Sequence, residues 1–135
     1  MSIVGGMESI NTAKKIGYGE FGGIYSNIEG DEAVRFLLQI KTGEVRGAFV
    51  RPDIGEIDLV WGQSGEDGYG LAKISEKHPE AILTLSHSIA TGTVVKSLPD
   101  RKIIISNENG KKSVIDLRYK DRSKTWLVTS YIPIK

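Results

Sequence analysis

Residues 53–79, DIGEIDLVWGQSGEDGYGLAKISEKHP, decide how the rest of the chain can be arranged. The pattern predicts a strand (Ile57–Trp61), a glycine-rich loop (Gly62–Gly70) and a short helix (Leu71–Lys77) that ends at a His-Pro pair. The loop also carries two acidic residues and is too polar and too rich in glycine to be core. A basic helix ending on the imidazole of His78, next to such a loop, makes this stretch the first candidate for chemistry.

The composition is that of one ordinary globular domain. A chain of 135 residues can bury a core without disulfides, and its 39% hydrophobic and 26% charged residues are typical values. We expect no membrane span and no signal peptide, because no apolar run is long enough and the start lacks a basic region. The absence of cysteine excludes thiolate metal sites and fits a cytosolic protein. The net charge of +1 argues mildly against nucleic-acid binding, although a local basic face could still exist.

The residue pattern of the first part of the chain, up to residue 92, predicts mainly helices. Residues 1–30 hold seven glycines, so we expect a loosely wrapping segment with room only for a short helix through Ser9–Ile16. Apolar spacing predicts an amphipathic helix over Asp31–Thr42 and a second one over Pro79–Ala90. Between them, Glu44–Val50 alternates, which predicts a short strand or an extended lead-in that we expect to pair with the strand named above. Residues 31–92 are therefore expected to be mainly helical with a short strand pair.

The last part of the chain alternates with a period of two, which is typical of strands. Tight-turn residues separate four such segments, and consecutive strands with tight turns form an antiparallel meander. The segments are Thr93–Leu98, Arg101–Ser106, Lys112–Tyr119 and Lys124–Ile132. The fold class we predict is α+β, a single domain over residues 1–135 in which N-terminal helices pack on a C-terminal antiparallel sheet of about four strands.

Common catalytic motifs are missing from the sequence. There is no P-loop, no His-Glu-x-x-His motif, no EF-hand loop and no dinucleotide fingerprint. Two histidines and no cysteine make a zinc site a poor hypothesis, and we expect no cofactor. The remaining reactive groups are basic residues and hydroxyls, namely Lys73, His78, Arg118 and Thr129 or Ser130.

These groups suit the cleavage of RNA without a metal ion. In that reaction the 2′-OH attacks the neighbouring phosphate, a base takes its proton, an acid protonates the leaving 5′-oxygen, and cations stabilise the charged phosphorane. Each candidate also has a structural explanation. Lys73 could be a solvated helix residue, His78 could stabilise the helix end, Arg118 could form a cross-strand pair and Thr129 could serve packing. Asp58, an acid inside an apolar strand, is expected to form an ion pair or a capping bond.

Several stretches together resemble a known family. They are GEVRGAFVRPDIGEIDLVWG (43–62), GYGLAKISEKHPEAI (68–82) and KTWLVTSY (124–131), with DEAVRFLLQIKTG (31–43) before them. Their order and spacing resemble the phage-associated nuclease family grouped with barnase, EndoU, colicin E5/D and RelE, whose members are described as barnase/colicin E5-type endoribonucleases. The resemblance covers roughly residues 20–131. It implies helices packed on a four-stranded antiparallel sheet that carries the RNA site.

The resemblance also implies roles for single residues. It assigns catalysis to Lys73, His78, Arg118 and Thr129, and substrate contacts to Arg101, Ser130 and Tyr131. Lys96, a basic residue of the predicted sheet, is a further candidate for substrate binding. Members often have histidine where Lys73 stands. Lysine is a weaker base at neutral pH, so the resemblance implies that Lys73 stabilises charge and that His78 is the main acid–base group.

The function hypothesis is a metal-independent endoribonuclease, acting on RNA such as tRNA. It would be a phage or prophage toxin or effector in the cytoplasm of a bacterial host, with an immunity or antitoxin protein as partner and no membrane. This hypothesis predicts that the four catalytic candidates meet in one cleft. One alternative is a non-catalytic RNA- or protein-binding module, which predicts a flat basic patch of Lys96, Arg101, Lys111, Lys112 and Lys120. A third hypothesis is a structural domain of a phage particle.

Overall fold

A computed structural model describes residues 13–97 and 102–133, without the side chains of residues 96 and 97. Its strands are β1 (Lys14–Gly19), β2 (Gly22–Ser26), β3 (Glu44–Arg51), β4 (Gly55–Val60), β5 (Thr93–Ser97), β6 (Lys102–Ser106), β7 (Lys112–Tyr119) and β8 (Arg122–Tyr131). Its helices are α1 (Gly30–Ile40), α2 (Gly70–Lys77), a 3-10 turn (Pro79–Ala81) and α3 (Leu85–Thr91). No helix within these residues is both long and apolar enough to cross a membrane.

All eight strands form one mixed sheet in the order β1-β2-β3-β4-β8-β7-β6-β5. Antiparallel pairing joins β1 to β2, β3 to β4, β5 to β6, β6 to β7 and β7 to β8, and parallel contacts join β2 to β3 and β4 to β8. The β4–β8 contact is a single bridge between Asp58 and Trp126. Since β4 ends shortly after this bridge, helix α2 can lie alongside the last residues of β8.

The helices cover one face of the sheet and build the core there. Leu37, Ile74 and Leu85 from the three helices pack with strand residues such as Ile57 and Leu127, all fully buried. Alternation along each strand sends the neighbouring side chains to the other side. The face opposite the helices, called the outer face below, carries Glu44, Asp58, Asp116, Trp126 and Thr129.

The C-terminal meander is confirmed, whereas the predicted size of the sheet is wrong. The sheet has eight strands among the described residues instead of about four, because two further hairpins extend it. Residues 14–26 form the hairpin β1–β2 where a loose segment and the end of a helix over Ser9–Ile16 were expected; residues 9–12 lie outside the described part. Gly22, with a φ of 114°, begins β2 directly after the two-residue turn Glu20-Phe21. The glycines thus excluded a long helix but did not exclude extended strands.

The helix predicted over Pro79–Ala90 is also wrong, because it is interrupted. The Nζ atom of Lys111 donates to the carbonyl of Ala81 at 3.0 Å and to Thr84 Oγ1 at 2.8 Å. The Leu85 amide bonds the carbonyl of Ile82. The Ala81 carbonyl therefore accepts its hydrogen bond from Lys111, 30 residues away, and not from the Leu85 amide. The helix is interrupted there, and the segment divides into the 3-10 turn and α3.

Arg51 fixes helix α3 to the sheet. Its Nη1 atom donates to the carbonyl of Ile89 at 2.6 Å and to that of Gly92 at 2.8 Å. Its other two nitrogens hold both carboxylate oxygens of Asp53 at 2.9 Å. This guanidinium lowers the pKa of the Asp53 carboxyl. A buried arginine thus satisfies the carbonyls at the end of α3, which have no partner within the helix.

Candidate functional site

The start of α2 is set tightly against the end of β4. Gly70 has a φ of 76°, and a Cβ there would lie 2.8 Å from the carbonyl oxygens of both Val60 and Trp61. The amide of Ala72 donates to the Trp61 carbonyl at 2.7 Å. Only glycine permits this close approach, which directs the helix along β8.

His78 lies at the other end of α2 and contacts Tyr131 of β8. Its amide bonds the Ile74 carbonyl at 2.8 Å, which fixes the backbone as the helix cap. The imidazole centroid lies 5.7 Å from the Tyr131 ring centroid, at an interplanar angle of 39°. Its Nδ1 atom lies 3.8 Å from a carboxylate oxygen of Glu80. The imidazole is thus held between a phenol and a carboxylate, and 28% of the side chain stays exposed to solvent.

Thr129 points to the outer face, two residues before Tyr131 on the same strand. It pairs with Val114, which alternates with the outer-face residue Asp116. The hydroxyl oxygen of Thr129 is buried and has no hydrogen-bond partner among the described residues. Buried hydroxyls without a partner are rare in folded proteins, so this one calls for an explanation.

Lys73 occupies the middle of the same helix. It follows Tyr69 by one helical turn, and the Tyr69 ring packs on Trp126 at 5.6 Å. Helix α2 contacts β8, and Lys73 lies on it between Tyr69 and His78. Lys73 is half-buried, and within residues 13–97 and 102–133 no hydrogen bond or ion pair engages its ammonium group.

Arg118 does not lie near His78 and Tyr131. It is exposed and pairs with Ser123 at the turn end of the β7–β8 hairpin. Tyr131 pairs with Lys112, which is six residues from Arg118 along β7. Six residues of strand span about 20 Å. The convergence of Arg118 with His78 that the sequence suggested is therefore not found.

Of the other residues predicted to contact the substrate, one is buried and two lie wholly or partly outside the part of the chain that the structure describes. Ser130 points away from Thr129, is fully buried and shares a hydrogen bond of 3.0 Å with Ser113. It cannot touch a substrate while this packing holds. Arg101 and the side chain of Lys96 lie outside the described part of the chain. The structure thus places His78 against Tyr131, with Thr129 two residues before Tyr131 on the same strand and Lys73 on the same helix as His78.

A second cluster on the outer face was not predicted as a site. Lys124 donates to Glu44 at 2.5 Å and to Asp58 at 2.7 Å. Arg46 donates to the same oxygen of Glu44 at 3.1 Å, and the amide of Gly47 donates to Asp58 at 2.9 Å. The ion pair expected for Asp58 is therefore confirmed. Nothing in the sequence signals its partner, because Lys124 is 66 residues away.

Four aromatic rings lie between the two clusters. The rings of Phe21, Tyr69 and Tyr119 surround Trp126 at centroid distances of 6.0, 5.6 and 5.6 Å. The indole nitrogen of Trp126 donates to the carbonyl of Arg118 at 2.9 Å. Burial raises the pKa of Tyr69. This aromatic cluster gives the middle of the outer face a rigid, partly exposed surface of rings.

The basic patch of the binding-module hypothesis is not present as predicted. Lys111 is only 1% exposed and bonds Ala81 and Thr84 from the interior. Burial lowers its pKa. Lys112 is half-buried and donates to Ser106, whereas Lys120 is exposed. A fully buried lysine cannot contribute to a surface patch.

The fold is a mixed α+β domain with its helices packed on one face of an eight-stranded sheet within the described residues. The chain matches the family model "phage-Barnase-EndoU-ColicinE5/D-RelE like nuclease1" over residues 48–135, well over half of its length. It belongs to that family, and the resemblance seen in the sequence is confirmed. Comparisons with curated proteins and with solved structures gave no significant match. Among the described residues, no group of three or more His, Cys, Asp or Glu side chains is placed to hold a metal ion.

Proposed function

We propose that this protein is an endoribonuclease that cleaves RNA by attack of the 2′-OH on the adjacent phosphate, at the site formed by α2 and β8. The observation that carries the proposal is the imidazole of His78, packed on Tyr131 beside the unsatisfied hydroxyl of Thr129. Membership of a nuclease family supports the reaction class.

His78 is the proton-transfer group in this mechanism. Glu80 lies at its Nδ1 atom, so the other ring nitrogen is the one that meets the substrate. It accepts the 2′-OH proton as the O2′–P bond forms, and passes that proton to the leaving 5′-oxygen as the P–O5′ bond breaks. The products are a 2′,3′-cyclic phosphate and a free 5′-OH, and the imidazole returns to its starting form.

Thr129 and Lys73 stabilise the charge that develops on the phosphate. The Thr129 hydroxyl is buried in the free protein, so RNA binding must first uncover it. It then donates to a non-bridging oxygen of the phosphorane, which supplies the partner that the hydroxyl lacks. The ammonium of Lys73, free of hydrogen bonds and ion pairs to the described residues, adds a positive charge at the same place. The phenol of Tyr131 positions the imidazole by ring contact.

Cleavage of total tRNA in EDTA by the purified protein tests this proposal. The matched variants are His78→Ala and His87→Ala, since His87 is an exposed histidine on α3. The parent and His87→Ala should produce discrete fragments, and His78→Ala should produce none. Equal cleavage by His78→Ala would remove His78 from the mechanism.

We further propose that the enzyme acts as a phage or prophage effector in the bacterial cytoplasm, held in check by an immunity protein. The support is the phage association in the family description. Induced expression in bacterial cells should arrest growth with the parent and not with His78→Ala. Growth arrest by both proteins would contradict a toxic role for the nuclease activity.

A further inference from the structure

Lys111 is a buried lysine that the proposed mechanism does not use. Its side chain is only 1% exposed, so its ammonium group cannot touch a substrate. Burying a charge is costly, and an apolar side chain of similar size often gives an equally stable core. The stability of the core therefore does not explain why a lysine stands here. The contacts of its ammonium group point to a second role.

The ammonium group of Lys111 holds the turn that follows His78, at residues 79–84. Its Nζ atom donates to the Ala81 carbonyl at 3.0 Å and to the Thr84 hydroxyl at 2.8 Å. The amide of Ala81 donates in turn to the His78 carbonyl at 2.9 Å. Ala81 thus links Lys111 to the backbone of His78, and its own side chain is fully buried. A movement of the ammonium group would therefore move the backbone that carries His78.

The backbone of Lys111 is fixed beside Tyr131. Lys111 directly precedes Lys112, the first residue of β7, which pairs with Tyr131 of β8. The amide of Lys111 donates to Asn109 Oδ1 at 3.0 Å, which fixes it in the turn between β6 and β7. The side chain therefore reaches from the strand end next to Tyr131 to the turn that follows His78.

These contacts surround the imidazole of His78. Its ring centroid lies 5.7 Å from that of Tyr131, and a carboxylate oxygen of Glu80, within the turn, lies 3.8 Å from Nδ1. Burial lowers the pKa of Lys111, and the negative charge of Glu80 opposes that change, so the carboxylate acts on both groups. We propose that Lys111 is a positioning residue of the proposed nuclease site. By holding the turn, it places the imidazole of His78 between Tyr131 and Glu80. This inference rests on the proposed function, in which His78 transfers the proton.

Arg51 provides a matched comparison, because it is a second buried cation that binds backbone carbonyls of the same segment. It is 8% exposed and donates to the carbonyls of Ile89 and Gly92, at the far end of α3. None of its hydrogen bonds within the described residues reaches the turn at residues 79–84. Arg51→Met should therefore destabilise the fold and leave His78 in place, whereas Lys111→Met should displace His78.

NMR of the two imidazoles tests this placement and requires no RNA. The sequence has two histidines, so isotope-labelled histidine gives separate signals for His78 and for His87, an exposed internal reference on α3. With neutral imidazoles, the parent should show nuclear Overhauser contacts between the rings of His78 and Tyr131. Lys111→Met should lose these contacts and shift only the His78 signal, and Arg51→Met should keep them. An unchanged His78 signal in Lys111→Met, or the same change in Arg51→Met, would overturn the proposal.

Thr84→Val is a second variant, at an exposed position where the change should not impair folding. It removes one of the two acceptors of the ammonium group, so the His78 signal should shift in the same direction as in Lys111→Met, by a smaller amount. An unshifted His78 signal in Thr84→Val would overturn the proposal even if Lys111→Met failed to fold.

Cleavage of RNA then separates positioning from general stability. Lys111→Met should lower kcat roughly 10- to 100-fold and leave KM close to the parental value, because the substrate still binds but the displaced imidazole reacts slowly. Arg51→Met should keep the parental kcat at a temperature where it is folded. A parental kcat in Lys111→Met, or an equal loss in Arg51→Met, would overturn the positioning role. A parent that cleaves no RNA would refute the proposed function, and the His78 signals would still decide whether Lys111 places the imidazole.

Discussion

Replacing Thr129 by valine should make the protein more stable and at the same time less active. Valine keeps the shape of threonine and suits a strand, but it replaces the buried hydroxyl by a methyl group. That hydroxyl has no partner among the described residues. A buried polar group without a hydrogen bond costs about 1 to 3 kcal/mol. We therefore expect the free energy of unfolding to rise by about 1.5 kcal/mol in Thr129→Val.

The size of this change is measurable as a shift in melting temperature. The unfolding entropy is about 2.1 cal/mol/K per residue, or about 0.28 kcal/mol/K for 135 residues. A gain of about 1.5 kcal/mol then raises Tm by about 5 °C. The cleavage rate should fall by about 100-fold, since one donor to the charged transition state is lost.

Thermal unfolding and single-turnover cleavage of RNA measure the two effects. Ser113→Ala is the matched control, because it removes a buried hydroxyl that does have a partner, Ser130 at 3.0 Å. This control should lose about 1 kcal/mol of stability and keep its activity. If Thr129→Val melts at a lower temperature, or cleaves as fast as the parent, the role assigned to the free hydroxyl is refuted.

Three further predictions concern the framework around the site. Arg51→Met should lower the free energy of unfolding in guanidinium chloride by about 3 kcal/mol, because two buried carbonyls lose their donor; a loss under 1 kcal/mol would contradict the anchoring role. Burial lowers the pKa of Lys111 in the folded protein below 10.5, the value for an exposed lysine. Between these two pKa values the unfolded chain binds more protons than the folded protein, so the free energy of unfolding of the parent should rise with pH in that range. Urea titrations of Lys111→Met should show no such rise, and an identical pH slope would contradict the assignment. Gly62→Ala should lower the free energy of unfolding by about 2 kcal/mol or more, because Gly62 has a φ of 73° and a Cβ there would lie within 2.9 Å of backbone and ring atoms of Tyr69. An unchanged unfolding curve in urea would contradict this prediction.

The sequence predicts the helices and strands that bury one face, because their apolar residues recur with a clear period. It does not predict a strand that is exposed on both faces. The helix that carries Lys73 and the strand that carries Thr129 follow clear apolar periods, and both are present in the structure with bounds close to those predicted. Strand β1 is exposed along its whole length, so no alternation could mark it. The helix and the strand that carry the candidate residues His78 and Tyr131 could be predicted because each follows a recognisable sequence pattern, and the structure brings the two rings into contact.

Long-range pairing explains most of what the sequence could not predict. Glu44 and Lys124 are 80 residues apart, and only the parallel contact between β4 and β8 brings them together. Arg118 seemed close to the site because its strand neighbours Thr129. The register of the β7–β8 hairpin, with two irregularities, places it at the far end. A one-dimensional pattern fixes neither register nor strand order.

Proton transfer from an attacking 2′-OH to His78 is the step on which the proposed nuclease activity depends. Its most direct test is cleavage of one synthetic RNA in EDTA, with the parent and His78→Ala, and with a second substrate that carries a single 2′-deoxy sugar at the cleaved position. Only the parent should cut the RNA, the fragment should end in a 2′,3′-cyclic phosphate, and the 2′-deoxy substrate should stay intact. Cleavage of the 2′-deoxy substrate, or undiminished cleavage by His78→Ala, would contradict it.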